Sequence, residues 1–95
     1  MSAFWIAHVT VTDEEAYAKY AALATQAIAA HGGTFLARGG TAIQKEGRAH
    51  PRNVVATFPS LDAANACYES ETYQEALGHA QGASERDLVL VEALD

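Results

Sequence analysis

The run Arg52-Asn53-Val54-Val55-Ala56-Thr57-Phe58 is rich in β-branched and aromatic residues and stops at Pro59, which cannot donate to a sheet ladder. It predicts the central strand, and Ser60 behind the proline is placed to N-cap a helix. Phe4 to Val11 predicts the first strand. Trp5, Ala7, Val9 and Val11 lie on one face, and Phe4, Ile6, His8 and Thr10 on the other. Thr12-Asp13-Glu14-Glu15 reads as a capping box with Thr12 as the cap. From Asp13 to His31, Tyr17, Tyr20, Ala24, Ala27, Ile28 and His31 recur at spacings of three and four, which makes one apolar stripe on a helix. His31 is expected to interact with the last carbonyls, and Gly32-Gly33 to end the helix.

Thr34 to Arg38 resumes strand alternation, with Phe35 and Ala37 on one side and Leu36 and Arg38 on the other. Gly39-Gly40 is expected to form a bulge, Thr41 to Gln44 to carry the strand on, and Glu46-Gly47-Arg48 to turn the hairpin into the central strand. That count sets Arg38 opposite Thr57 or Phe58. After Ser60, the residues Leu61, Ala64, Cys67 and Tyr68 share a helical face. Ser70 can recap a second segment that carries Tyr73, Ala76, Leu77 and Ala80. Gln81 to Ser84 is loop, and Asp87 to Glu92 is the closing strand, apolar on both faces.

The order βαββαβ predicts an α+β, ferredoxin-like domain spanning residues 1–95. Right-handed crossovers then place both helices on one face of a four-stranded antiparallel sheet. The other face stays open, and Phe4, Ile6, Leu36 and Val55 point to it. Since soluble monomers rarely expose large contiguous apolar patches, a homodimer through that face is expected.

Composition narrows the partners. Hydrophobic residues make up 49% of the chain and charged residues 19%, as in globular proteins. The net charge of -6, without a basic cluster, argues against nucleic acid or an anionic membrane surface. No apolar run approaches the roughly 20 residues that span a bilayer. The single cysteine, Cys67, and an N-terminus without the features of a signal peptide fit a cytoplasmic protein.

Several segments carry a resemblance to a known family. Phe4-Trp5-Ile6-Ala7, Gly32 to Gly40, Arg52-Asn53-Val54-Val55, Phe58-Pro59-Ser60, Ala66 to Ser70 and Gly82 to Val89 resemble a family of small bacterial proteins known as domain of unknown function 1330. The resemblance implies a dimeric α/β barrel, a group that includes cofactor-independent monooxygenases, chlorite dismutase-like haem proteins and small-molecule binders. It implies no particular reaction. Where members usually carry an arginine after the helix near Tyr73, this chain has His79-Ala80, so an anion-binding role there is either lost or moved to His79.

Strand parity puts His8, Thr10, Arg38, Asn53 and Thr57 on the open face, a polar set amid apolar neighbours, which is the usual composition of a small-molecule site. Arg38 is the expected anion contact, Asn53 and Thr57 further ligand contacts, Tyr20 a contact at the rim, and His8 a residue placed to exchange a proton. The alternative is a non-catalytic dimeric scaffold or regulatory module, in which these groups only fix the register of the interface. Neither a cofactor nor a metal is read from the sequence, because His8, His31, His50 and His79 show no ligand spacing. Cys67 sits on an apolar stripe without a neighbouring cation and is expected in the core. No phosphate loop or hydrolase elbow is present.

Overall fold

The computed structural model describes all of residues 1–95. Its elements are β1 (Ala3–Val11), α1 (Glu14–Ala30), β2 (Thr34–Arg38), β3 (Arg52–Phe58), α2 (Leu61–Glu69), α3 (Glu71–Ala80) and β4 (Ser84–Glu92). The four strands form one antiparallel sheet in the order β2-β3-β1-β4. This is the ferredoxin-like arrangement, with the second helical segment broken in two at Ser70.

The core lies between the sheet and the helices. Ala3, Trp5, Ala7 and Val9 from β1 and Val54, Ala56 and Phe58 from β3 meet Tyr17, Tyr20, Ala24, Ala27 and Ile28 of α1. Ala64, Cys67, Tyr73, Ala76 and Ala80 close the layer from α2 and α3. These are the odd positions of β1 and the even positions of β3, as the antiparallel register requires. Cys67 is fully buried, and burial pushes its thiol up to about 11, so it packs as a small hydrophobe.

The helix ends follow local chemistry. Ser60 Oγ accepts from Ala63 N at 3.0 Å and Ser70 Oγ from Tyr73 N at 3.2 Å, so both serines act as N-caps. Ser60→Ala is expected to cost about 1 kcal/mol and Ser60→Asp to be nearly neutral, read from denaturation midpoints. His31 caps the C-terminus of α1, and its Nδ1 donates to the Ala27 carbonyl at 2.8 Å. Gly32, at φ +80°, then lets Gly33 N donate back to Ile28 O at 2.8 Å. At Gly33 a Cβ would stand 2.5 Å from Ile28 and 2.8 Å from Phe58, so only glycine lets the chain turn this close to the core.

Three expectations are corrected. Asp13, not Thr12, caps α1, with Asp13 Oδ1 accepting from Ala16 N at 3.2 Å. The reason is that the N–H groups of Thr12 and Asp13 both donate to Ala83 O, which keeps the chain extended for one more residue. Gly39-Gly40 is not a bulge inside a longer strand. Gly39, at φ +75°, turns the chain off the ladder, and residues 39–51 connect β2 to β3 without a further strand. The bulge lies earlier. Phe35 pairs with Ala56 and Ala37 with Val55, which leaves Leu36 as the extra residue and sets Arg38 opposite Val54 rather than Thr57 or Phe58.

Candidate functional site

The displaced bulge decides which side of the sheet Arg38 serves. Val54 faces the helices, so its partner Arg38 does too, and the Arg38 guanidinium lies 4.3 Å from the centre of the Phe35 ring. Two more arginines share that face. Arg52 and Arg86 both flank Val9, one from β3 and one from β4, so they stand two strands apart in a single row across the sheet. The three surround a cavity of about 110 Å³ between α1 and the sheet. Its wall is otherwise mainly apolar: Trp5, Ala7 and Val54 from the sheet, Phe35 at the edge, and Tyr17, Tyr20, Ala24 and Ile28 from α1.

None of these arginines has a carboxylate partner, because the chain's ion pairs are Arg48 with Glu85 and His50 with Asp87. Arg86 instead donates from Nη2 to the hydroxyls of Tyr20, at 2.6 Å, and Tyr73, at 3.3 Å. It also stacks on the Tyr20 ring at 4.5 Å. The two hydroxyls are 2.8 Å apart. Burial pushes both phenols above the ordinary tyrosine value; Tyr73 adds to the rise at Tyr20, while Arg86 opposes it at both. Both phenols are therefore neutral near pH 7, and the guanidinium keeps its charge. The Nε atoms of Arg52 and Arg86 are buried and have no hydrogen-bond partner. Arg52 also lines an adjoining groove together with Glu14, without an ion pair between them.

The polar set expected on the open face is split. His8 and Asn53 do meet, at 2.6 Å. Because Asn53 Nδ2 donates to His50 O, its amide oxygen faces His8, whose Nδ1 therefore carries the proton. Thr10 contacts His50 Nδ1 at 2.9 Å, and the other ring nitrogen of His50 faces Asp87 at 3.6 Å. His50 thus joins this cluster from the loop ahead of Pro51. Thr57 lies about 13 Å away along β3 and donates to Ala3 O.

Arg38 is on the opposite side of the sheet from His8, so the two cannot serve one small ligand. This overturns their expected pairing, and the one-residue bulge is the cause. Tyr20 lines the cavity on the helix side and not a rim of the open face, because the α1 stripe that carries it packs on the other side of the sheet. His79, in the last turn of α3, does not line the cavity, and the deep cation there is Arg86 of β4. Arg52 and Arg86 were missed, although parity carried a signal: Arg52 is in phase with Val54, Ala56 and Phe58, and Arg86 with Leu88 and Leu90. Starting β4 at Asp87 instead of Ser84 concealed the second.

The fold has relatives among solved structures. A protein of unknown function from Rhodopseudomonas palustris is 20% identical with a TM-score of 0.78, over 99% of this chain and 83% of that one. A dimeric ferredoxin-like protein of unknown function from Jannaschia sp. CCS1 is 16% identical with a TM-score of 0.72, over 98% and 100%. SnoaB, a cofactor-independent oxygenase from Streptomyces nogalater, is 14% identical with a TM-score of 0.61, over 99% and 94%. At such identities the likeness is one of fold. No curated protein matches the sequence. No helix is long and apolar enough to cross a membrane. Residues 2–94 match the family described as a domain of unknown function, DUF1330, and the chain belongs to that family.

Proposed function

We propose that the protein binds a small organic anion in the cavity between α1 and the sheet, held by Arg86, Arg52 and Arg38. The observation that carries this reading is the pair of buried, unpartnered Nε–H groups on Arg52 and Arg86. A buried donor without an acceptor costs about 1–3 kcal/mol, and more when the group is charged. A bound carboxylate or enolate removes that cost, since its two oxygens match the guanidinium fork. The cavity volume of about 110 Å³ suits a compact ligand, as an apolar cavity of about 150 Å³ holds benzene. Cofactor-independent chemistry on the bound anion is the enzymatic form of this reading. It is supported by the paired neutral phenols of Tyr20 and Tyr73 beside Arg86 and by the fold shared with SnoaB.

The open sheet face supports an assembly role alongside it. Phe4, Ile6 and Val55 are only half-buried, and Leu36, Val89 and Val91 are 58%, 54% and 45% exposed on that side of the sheet. A second copy covers this face in our reading, as the dimeric relative from Jannaschia sp. CCS1 suggests. The cluster of His8, Asn53, Thr10 and His50 satisfies its own hydrogen bonds there, which favours a structural role for it.

Thermal-shift measurements with propionate and butyrate against propionamide and butyramide, at fixed ionic strength, test the anion site. A ligand at 100 times its dissociation constant adds about 2.7 kcal/mol of stability. The acids are expected to stabilise the protein and the amides not, and Arg86→Met is expected to fold and lose the response. Equal shifts from acids and amides would sink the reading.

A further inference from the structure

We infer that the ligand is a dianion whose two carboxylates are separated by a short apolar chain, an aliphatic dicarboxylate in chemical class. This rests on the anion-site reading above and adds to it the number and spacing of the charges.

The three arginines reach the cavity from three different strands. Arg86 and Arg52 start about 10 Å apart, two strand spacings, with Val9 between them. Each then has contacts of its own. Arg86 is drawn to the helix side by the hydroxyls of Tyr20 and Tyr73. Arg52 lies toward the β2 edge, where its Nη1 comes within 2.9 Å of the position a Cβ on Gly39 would take. Arg38 belongs to the same edge, on β2 itself and over Phe35. The cavity therefore takes one cation from the β4 side and two from the β2–β3 side.

The stretch between the two sides is apolar. Ala7, Val54, Ala24 and Ile28 offer a carbon chain contact area and offer a polar one nothing. A monocarboxylate can neutralise only one side and leaves a buried Nε–H orphaned at the other. A compact dianion such as phosphate brings both charges to one side, with the same result. A dicarboxylate of succinate or glutarate length gives each side its own acceptor and places its methylenes against the apolar wall. Three cations lining one small cavity favour the more highly charged ligand at close range, against the long-range repulsion of a chain at -6.

Calorimetric titration of the purified protein at constant ionic strength separates the possibilities. The probes are succinate, glutarate, their monomethyl esters, butyrate and inorganic phosphate. A diacid is expected to bind at least tenfold more tightly than its monoester, and Arg38→Ala is expected to shrink that ratio toward one. Diacid and monoester binding equally well would overturn the dianion inference and leave the anion site standing. Phosphate binding as tightly as the best diacid would overturn the spacing of the charges. No binding by any probe, with the protein folded, would overturn both this inference and the site on which it rests.

Discussion

Trp5→Ala is expected to lower the stability of the domain by about 3–5 kcal/mol, the range for removing a large buried aromatic side chain. Trp5 is 1% exposed and is the third residue of β1, on the face turned to the helices. Its ring centre is 5.0 Å from Tyr73, 5.7 Å from Phe58 and 6.2 Å from Tyr68, so the substitution strips contacts from two helices and the central strand at once. The void left behind merges with the cavity that Trp5 already lines, and that cavity cannot collapse without moving Arg86 and Tyr20. A 95-residue domain has roughly 5–14 kcal/mol in total, so the loss is a large share of it. Chemical denaturation midpoints measure the effect. Trp5→Phe, which keeps a ring against Tyr73 and Phe58, is expected to cost much less. A loss below about 1 kcal/mol for Trp5→Ala would place the centre of the core elsewhere.

The second large effect is on assembly. Sedimentation at micromolar concentration is expected to give a species of twice 10.1 kDa, and Val89→Asp to reduce it to the monomer. Val89 pairs with Ile6 in the middle of the β1–β4 ladder, on the face away from the helices, and it is 54% exposed in the single chain. An aspartate there stays hydrated in the monomer, so folding is spared. In a dimer packed through this face the same carboxylate loses its water without gaining a partner. Two-fold symmetry places two such charges in one interface. Each 1.4 kcal/mol or so is tenfold, so a shift on the order of a hundredfold or more in the dissociation constant is expected. Val55→Asp should act in the same direction, but it begins from a half-buried site and so risks the fold as well. A wild-type protein that sediments at 10.1 kDa would remove the interface from the proposal.

The element order, the apolar stripe of α1 and the serine caps at 60 and 70 were legible in the sequence, because each depends on residues a few positions apart. The stripe of Tyr17, Tyr20, Ala24, Ala27 and Ile28 is buried as its spacing requires. The sheet order followed from connection handedness once the elements were in place. Local pattern failed where two strands had to agree on a register. A strand's side chains alternate with period two, so one extra residue reverses every face beyond it. The sequence offered Gly39-Gly40 as the natural bulge, yet the pairing with β3 puts the irregularity at Leu36, and Arg38 moves from the open face to the cavity. The same non-local pairing extends β4 back to Ser84 and so brings Arg86 opposite Val9. It also tucks His50 beneath the end of the sheet, beside Thr10 and Asp87. The arginine site thus draws on β2, β3 and β4, strands far apart in the chain, and its geometry exists only once their registers are set against one another.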